Sequence, residues 1–318
     1  MNKTNNWFGT ICLLIAAFIW GSTFVAQSET ILGPFTYLAM RSYIGAIVLI
    51  PLIYFTNKYK KVEKKSQYNK KLLMGGLFCG MALFIASAFQ QIGIDRGTDP
   101  GKAGFITAMY ILLVPIVSIF AKKKVRPLYW ICIIIAVIGL FLLCMTSNIN
   151  EFSFSALFSR QTLSLISIKV SDIFVLISAI TFTVHIIIID KYSPFVDAIR
   201  LSQLQFIVTA ILATIAMFIF EKPDINQILL SWKSVLYAGV LSSGVGYTLQ
   251  IVAQKKMNAT LASMIMSLES TFAVLSYIVY SAIVYGVPKI PTGYEIIGCI
   301  FMFIAIIISQ LPEKKSKN

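Results

Sequence analysis

Apolar residues along this chain gather in runs of about twenty, and polar residues gather in the short gaps between them. Runs of that length match what an α-helix needs to cross the hydrocarbon core of a bilayer. The pattern predicts ten helices, near residues 7–26, 34–55, 72–94, 103–121, 128–146, 171–189, 199–220, 235–254, 259–285 and 294–311. Residues 147–170 read as a longer, mildly amphipathic connector rich in Ser, Phe and Leu, too interrupted to be a span. The first run is long for a secretory signal, lacks a clear small-residue cleavage site and precedes further spans, so it is read as a helix.

The polar residues inside the runs carry the next information. Glu269 lies near the middle of the ninth run, where a charge costs about 2.5–3.5 kcal/mol on insertion scales unless it is paired or reaches water. In the eighth run Ser243, Tyr247, Gln250 and Gln254 recur at i, i+4, i+7 and i+11, one face of a helix. The third run carries a counterpart at a constant separation of 163 residues, pairing Gly76 with Gly239, Gly80 with Ser243, Phe84 with Tyr247, Ser87 with Gln250 and Gln91 with Gln254. Similar separations pair Pro34 with Pro194, Pro127 with Pro291 and Trp130 with Tyr294.

These matches predict two repeats of five helices, residues 1–146 and 171–318, joined by the 147–170 connector. Five is odd, so the second repeat enters the membrane from the opposite side. The expected fold is therefore an all-α integral membrane protein of ten transmembrane helices in two inverted five-helix repeats. Inverted repeats build many secondary transporters, with a central site and alternating access.

Composition agrees with this class. Hydrophobic residues make up 58% of the chain, charged residues only 13%, and mean hydropathy is +0.82. The net charge of +14 does not imply a nucleic-acid partner, because the basic residues sit in loops between apolar runs. Alternate loops and the two termini carry 19 of them, and the other loops carry seven. That bias places both termini in the cytoplasm and the chain in the cytoplasmic membrane. All five cysteines fall inside apolar runs with no CxxC, and no cofactor or metal is expected. A phosphate-binding G-x-x-x-x-G-K-[ST] loop is absent, which argues against a self-contained primary pump.

Several segments together resemble the drug/metabolite transporter superfamily in its EamA-type branch, over essentially the whole chain. They are Trp20-Gly21-Ser22-Thr23-Phe24, Arg41, Phe89-Gln90-Gln91-Ile92-Gly93, Ala103-Gly104-Phe105-Ile106-Thr107, Tyr247-Thr248-Leu249-Gln250, Gln254-Lys255-Lys256 and Ser267-Leu268-Glu269. The resemblance implies a ten-helix permease for small metabolites such as amino acids or related amphipathic compounds, often working outward. A channel or facilitative uniporter is the alternative. An intramembrane enzyme ranks third, because no metal cluster, Ser/His pair or paired membrane aspartates appear.

On this reading the cavity-lining candidates are Trp20, Ser22, Thr23, Ser87, Gln91, Tyr110, Tyr247, Gln250 and Gln254. Amides and phenols bind amino or carboxyl groups and cost less to bury than ions, though ordinary interhelical hydrogen bonding explains them too. Arg41, His185 and Glu269 are candidates for an ion pair, gating or proton coupling. Arg41 would orient a substrate carboxylate or snorkel toward the outer surface. His185, set opposite Thr23 in the repeat alignment, would relay protons or anchor the bundle. Glu269 would carry a proton, meet a cationic substrate group or act as a structural hydrogen-bond acceptor.

Overall fold

The computed structural model describes residues 7–60, 70–98, 100–145, 169–288 and 290–311. All regular structure among the described residues is helical. The elements are α1 (Trp7–Ser28), α2 (Pro34–Lys60), α3 (Lys70–Asp95), α4 (Pro100–Ala108), α5 (Tyr110–Phe120), α6 (Pro127–Met145), α7 (Val170–Tyr192) and α8 (Ala198–Phe220). They continue with the short α9 (Ile225–Leu230) and α10 (Trp232–Tyr237), a π-helical stretch Ala238–Gly246, α11 (Tyr247–Gln254), α12 (Ala259–Met266), α13 (Glu269–Tyr285) and α14 (Gly293–Ser309). The 147–170 connector lies outside the described residues except for its last two.

Taken as rods, eight of the ten expected spans are long and apolar enough to cross a membrane. The fifth and tenth, Pro127–Leu142 and Gly293–Ser309, are apolar but shorter. We number the rods spans 1–10 in chain order. The polarity is inside out relative to a water-soluble bundle: Ile47 and Phe218 are more than half exposed, whereas Ser42, Gln205, Ser243 and Gln254 are fully buried. Such an exterior suits lipid, and interior polar groups must then find partners within the protein.

Three expected rods are not continuous α-helices. Span 4 breaks at Met109 and span 9 at Ser267–Leu268; at both places ψ tightens to −11° and i→i+3 hydrogen bonds replace the α pattern. Span 8 carries a nine-residue π-helical stretch, Ala238–Gly246, ahead of α11. The 243/247/250/254 stripe therefore does not run down one face, because the wider π-turn rotates Ser243 away from the residues below it.

Glycines set the closest approaches. Gly76 and Gly80 on span 3 meet Leu204 and Val208 on span 7, where an added Cβ would lie 2.6 and 2.5 Å from theirs. On span 8, Gly239 meets Ile44 of span 2, and Ser243 packs against Gly45, whose added Cβ would lie 2.6 Å from that of Ser243. Positions 80 and 208 stand 163 residues from 243 and 45, so the two contacts occupy matching places in the two halves with the glycine on opposite partners. Span 5 meets span 10 at Gly139, whose added Cβ would lie 2.9 Å from the Gly298 carbonyl oxygen. Spans 3 and 6 pack along their lengths, as do 2 and 7, 3 and 7, 2 and 8, and 1 and 9.

Polar ties hold spans 2 and 7 together at both ends. Glu221, just past α8, accepts hydrogen bonds from the backbone N–H groups of Phe35 and Thr36 at 2.7 and 2.8 Å, satisfying the free donors that open α2. At the other end Arg200 donates to Asn57. Lys123 pairs with Asp190 between the span 4–5 loop and span 6, at the end of the bundle where α1 begins.

Gly80→Ala should push span 7 outward, at a cost of about 1–3 kcal/mol for overpacking. Gly104→Ala, whose nearest neighbour would be Ser270 Oγ at 3.6 Å, should be tolerated. Thermal unfolding of the two variants in detergent micelles checks this: the first should melt lower than the parent chain and the second should not.

Candidate functional site

The polar residues buried at mid-bundle converge on one cavity. Its wall is built from spans 1, 2, 3, 4, 6, 8 and 9. Eight of the twelve sequence candidates line it: Trp20, Thr23, Arg41, Tyr110, His185, Tyr247, Gln250 and Glu269. Phe24, Gln27, Gln90 and Thr107 extend the lining toward the end of the bundle where α1 finishes. Below the cavity, toward the opposite end, Leu13, Val114, Met257, Leu261 and Ile265 belong to a dry apolar cluster.

The two helix breaks place the central pair. Tyr110 is the first residue of α5 and Glu269 the first residue of α13. Tyr110 Oη donates to Glu269 Oε1 at 3.0 Å, joining the two interrupted spans at their breaks. Glu269 is 6% exposed, and Tyr110 is its only side-chain hydrogen-bond partner among the described residues. Because of the break, α13 does not continue the helical phase of α12, and Glu269 is placed independently of the residues before it.

Arg41 is 5% exposed, so its head turns inward to the cavity rather than snorkelling outward. Its Nε donates to Ser243 Oγ at 3.4 Å and its Nη2 to Ser242 Oγ at 3.5 Å, both long contacts. Two consecutive serines reach one guanidinium because the π-turn brings them onto the same side. The Tyr37 ring lies 6.0 Å from the guanidinium carbon, and the Tyr247 hydroxyl lies against Arg41 and Ser87. No carboxylate among the described residues pairs with Arg41. Arg41 and Glu269 therefore face one cavity without pairing with each other.

Aromatic rings fill the space between these poles. Tyr247 packs on Trp20 at 4.9 Å between centroids, on Phe206 at 5.5 Å and on His185 at 5.9 Å. The absence of a side chain at Gly246 admits Trp20, whose Nε1 would lie 2.8 Å from an added Cβ there. His185 Nε2 is 3.0 Å from Gln205 Oε1, while His185 Nδ1, Gln205 Nε2, Gln250 Oε1 and Trp20 Nε1 are buried without a partner. Buried polar atoms without partners are costly, and here three of them belong to residues of the cavity wall. Such a wall can accept a small polar molecule.

The remaining four candidates lie outside the lining. Gln254 Nε2 donates to the Ile186 carbonyl at 3.1 Å, and its Oε1 accepts from Gln250 Nε2 at 3.0 Å. Ser22 Oγ is 2.6 Å from Tyr237 Oη, tying span 1 to span 8. Ser87 sits behind Tyr247, and Gln91 is buried beside Gln90. On span 3 the lining amide is Gln90, which donates to Thr107 Oγ1 at 3.1 Å, one position from the residue the stripe selected. One residue rotates a helix by about 100°, so a small error in which face looks inward exchanges neighbours. Gln27 and Ser242 were also missed, although Gln27 carries a signal as an amide in the last turn of an apolar span.

Comparison with known proteins agrees with the geometry. The sequence profile of the EamA-like transporter family matches residues 7–145 and 169–311. An uncharacterized transporter of Archaeoglobus fulgidus is 26% identical over 313 residues, covering 96% of this chain and 86% of that protein. One of Clostridium kluyveri is 21% identical over 98% of this chain and 95% of the relative. The uncharacterized transporter YoaV of Bacillus subtilis is 22% identical over 79% of this chain and 81% of its own length. A protein of known crystal structure superposes with a TM-score of 0.70 at 17% identity, covering 95% of this chain and 96% of that one, which is a likeness of fold. The three relatives from Archaeoglobus, Clostridium and Bacillus are named as transporters, not as enzymes.

Tyr110→Phe should leave the buried Glu269 carboxyl without its partner and cost about 1–3 kcal/mol of stability. Glu269→Gln in the same background should restore part of that loss, because a neutral amide is cheaper to bury unpaired. A double-mutant cycle on unfolding in micelles measures the coupling, expected to be non-zero; additive losses would show that the pair is not energetically joined.

Proposed function

Because the chain belongs to the EamA-like transporter family, we propose that this multi-pass membrane protein is a secondary-active exporter of small amphipathic metabolites such as amino acids. It works by alternating access about the central cavity, and the two five-helix halves, residues 1–146 and 171–318, are related by inversion across ten spans. The observation that carries the reading is a cavity at mid-bundle presenting a cation and an acid that do not neutralise one another.

The packing supports the inverted repeat. Exchanging span n with span n+5 turns the contacts of 3 with 6 into those of 8 with 1, 3 with 7 into 8 with 2, and 1 with 9 into 6 with 4, all of which occur. Spans 2 with 7 and 5 with 10 map onto themselves. The breaks in spans 4 and 9 correspond under the same exchange, as do the left-handed residues Lys122 (φ 58°) and Gly286 (φ 71°) that follow those spans. Interrupted helices around a central site are a recurrent device of transporters with inverted repeats. The bias of basic residues toward the end where α1 begins supports a cytoplasmic location for both termini.

In this reading Arg41 takes a substrate carboxylate, with the Ser242 and Ser243 hydroxyls beside it. Glu269 takes a cationic group, or a proton in its absence. Trp20, Phe182 and Met266 wall the uncharged part of the molecule. Arg41, Tyr110, Tyr247 and His185 are the charged or titratable groups that share the cavity with Glu269.

Reconstituted in proteoliposomes loaded with a panel of metabolites, the protein should show trans-acceleration of labelled substrate; flux indifferent to unlabelled solute on the far side would mark a channel instead. Arg41→Gln should raise KM by about ten- to a hundred-fold for carboxylate substrates, the size of a lost charge-assisted hydrogen bond. Glu269→Gln should abolish the dependence of flux on a pH gradient, and transport that keeps its full dependence would remove Glu269 as the proton carrier.

A further inference from the structure

The cavity described above leaves one polar contact unexplained. Gln254 lies at the end of span 8, outside the cavity lining, and its amide bonds two residues that do line it, Gln250 and Ile186. Its donor bond to the Ile186 backbone carbonyl draws span 8 against span 6 at the end of the bundle where α1 begins. The acceptor is a backbone carbonyl, so this bond depends on how closely the two helices approach. Next to it, Lys255 Nζ donates to the Val196 carbonyl at 3.0 Å, and the Lys123–Asp190 pair closes the same end.

The matching place in the other half differs. The helix starts Trp7 and Val170 stand 163 residues apart, as do Gln91 and Gln254. That register sets Ile186 opposite Thr23, one residue from the alignment that put His185 there. The counterpart of the Gln254 bond is therefore a bond from Gln91 Nε2 to the Thr23 carbonyl, between spans 3 and 1 at the opposite end. It is not made: Gln91 has no hydrogen bond among the described residues. Instead the cavity comes between these two spans, lined there by Thr23, Phe24 and Gln27 on one side and Gln90 on the other.

We propose that Gln254 and Gln91 are paired closing residues, one for each end of the cavity, that make their backbone bonds in alternate states. The structure holds the state in which the Gln254 bond is made and the Gln91 bond is not. In the opposite state Gln254 releases the Ile186 carbonyl, spans 6 and 8 separate, and Gln91 takes the Thr23 carbonyl. Gln250 couples the gate to substrate, since it lines the cavity and donates to Gln254 Oε1. Its counterpart Ser87, set behind Tyr247, holds the matching position on span 3. The assignment rests on the transport reading above and gives Gln91 a role that no contact in this state reveals.

The test uses full-length protein in oriented proteoliposomes with the five native cysteines replaced by serine. A reporter, Gln27→Cys or Met257→Cys, sits at each end, and a membrane-impermeant thiol reagent is added from either face. Gln254→Leu should lower labelling of the Gln27 reporter and raise that of the Met257 reporter, by on the order of three- to ten-fold for one lost hydrogen bond. Gln91→Leu should shift both in the opposite sense and slow counterflow. It removes no bond from this state, so it should leave thermal stability unchanged, and it keeps the test informative if Gln254→Leu folds poorly. Shifts of the same sign in the two variants, or none in either, would overturn the pairing of the two glutamines. Equal labelling of both reporters in the parent background would instead show that the cavity does not alternate, which sinks the transport mechanism and the gate together.

Discussion

A carboxyl group held in the middle of an apolar bundle is costly unless a partner or a polar cavity meets it, and the arrangement of the core follows from how Glu269 is met. Its partner Tyr110 reaches it only because spans 4 and 9 both break at this depth. A continuous helix would present whatever its 3.6-residue phase dictated; an interrupted one resets that phase and can turn a chosen residue inward. The π-turn of span 8 acts in the same way on Ser242 and Ser243, which it sets side by side against Arg41. Three local departures from α-helical geometry thus surround one cavity. Each puts polar chemistry where a regular helix would have put lipid-facing or packing residues.

The helices that do not break supply the frame. Spans 2 and 7 are tied at one end by Glu221 on the opening N–H groups of α2 and at the other by Arg200 on Asn57. Spans 5 and 10 meet at Gly139 and Gly298 with almost no gap. Among apolar helices in lipid, association depends on such close packing and on interhelical hydrogen bonds, because burial of apolar surface gains little over contact with lipid tails. On the proposed inverted repeat these two pairs lie on the relating axis, so they can stay together while spans 1, 3, 6 and 8 part and close around them. The proposed roles of Gln254 and Gln91 fall on that second group.

Much of this organisation can be read in the residues. Ten apolar runs were legible from length alone, and the separation of 163 residues between matching positions in spans 3 and 8 reappears as matched contacts, Gly80 on Val208 and Ser243 on Gly45. Eight cavity residues were also legible, because a polar group inside a span is expensive enough that its presence marks a partner or a cavity. What misled was the assumption of unbroken helical phase. It placed Gln91 in the cavity in place of Gln90 and made one stripe of Ser243 to Gln254. Arg41 stayed between two readings for a related reason: a long side chain near one end of a span can snorkel outward or fold inward, and the choice depends on what neighbouring helices offer its head.

The sequence by itself determined that the chain is a helical membrane protein, roughly where its spans lie, and which polar residues had to be accommodated inside it. Those conclusions follow from transfer free energies, which depend on residue type and run length and are local. Only the tertiary structure decided that Tyr110 answers Glu269, that Arg41 faces the same cavity without pairing with it, and that Gln254 binds backbone while Gln91 does not. These depend on breaks and rotations of a few tens of degrees, set by competition among hydrogen bonds across different helices, and no single segment carries that competition in its own residues.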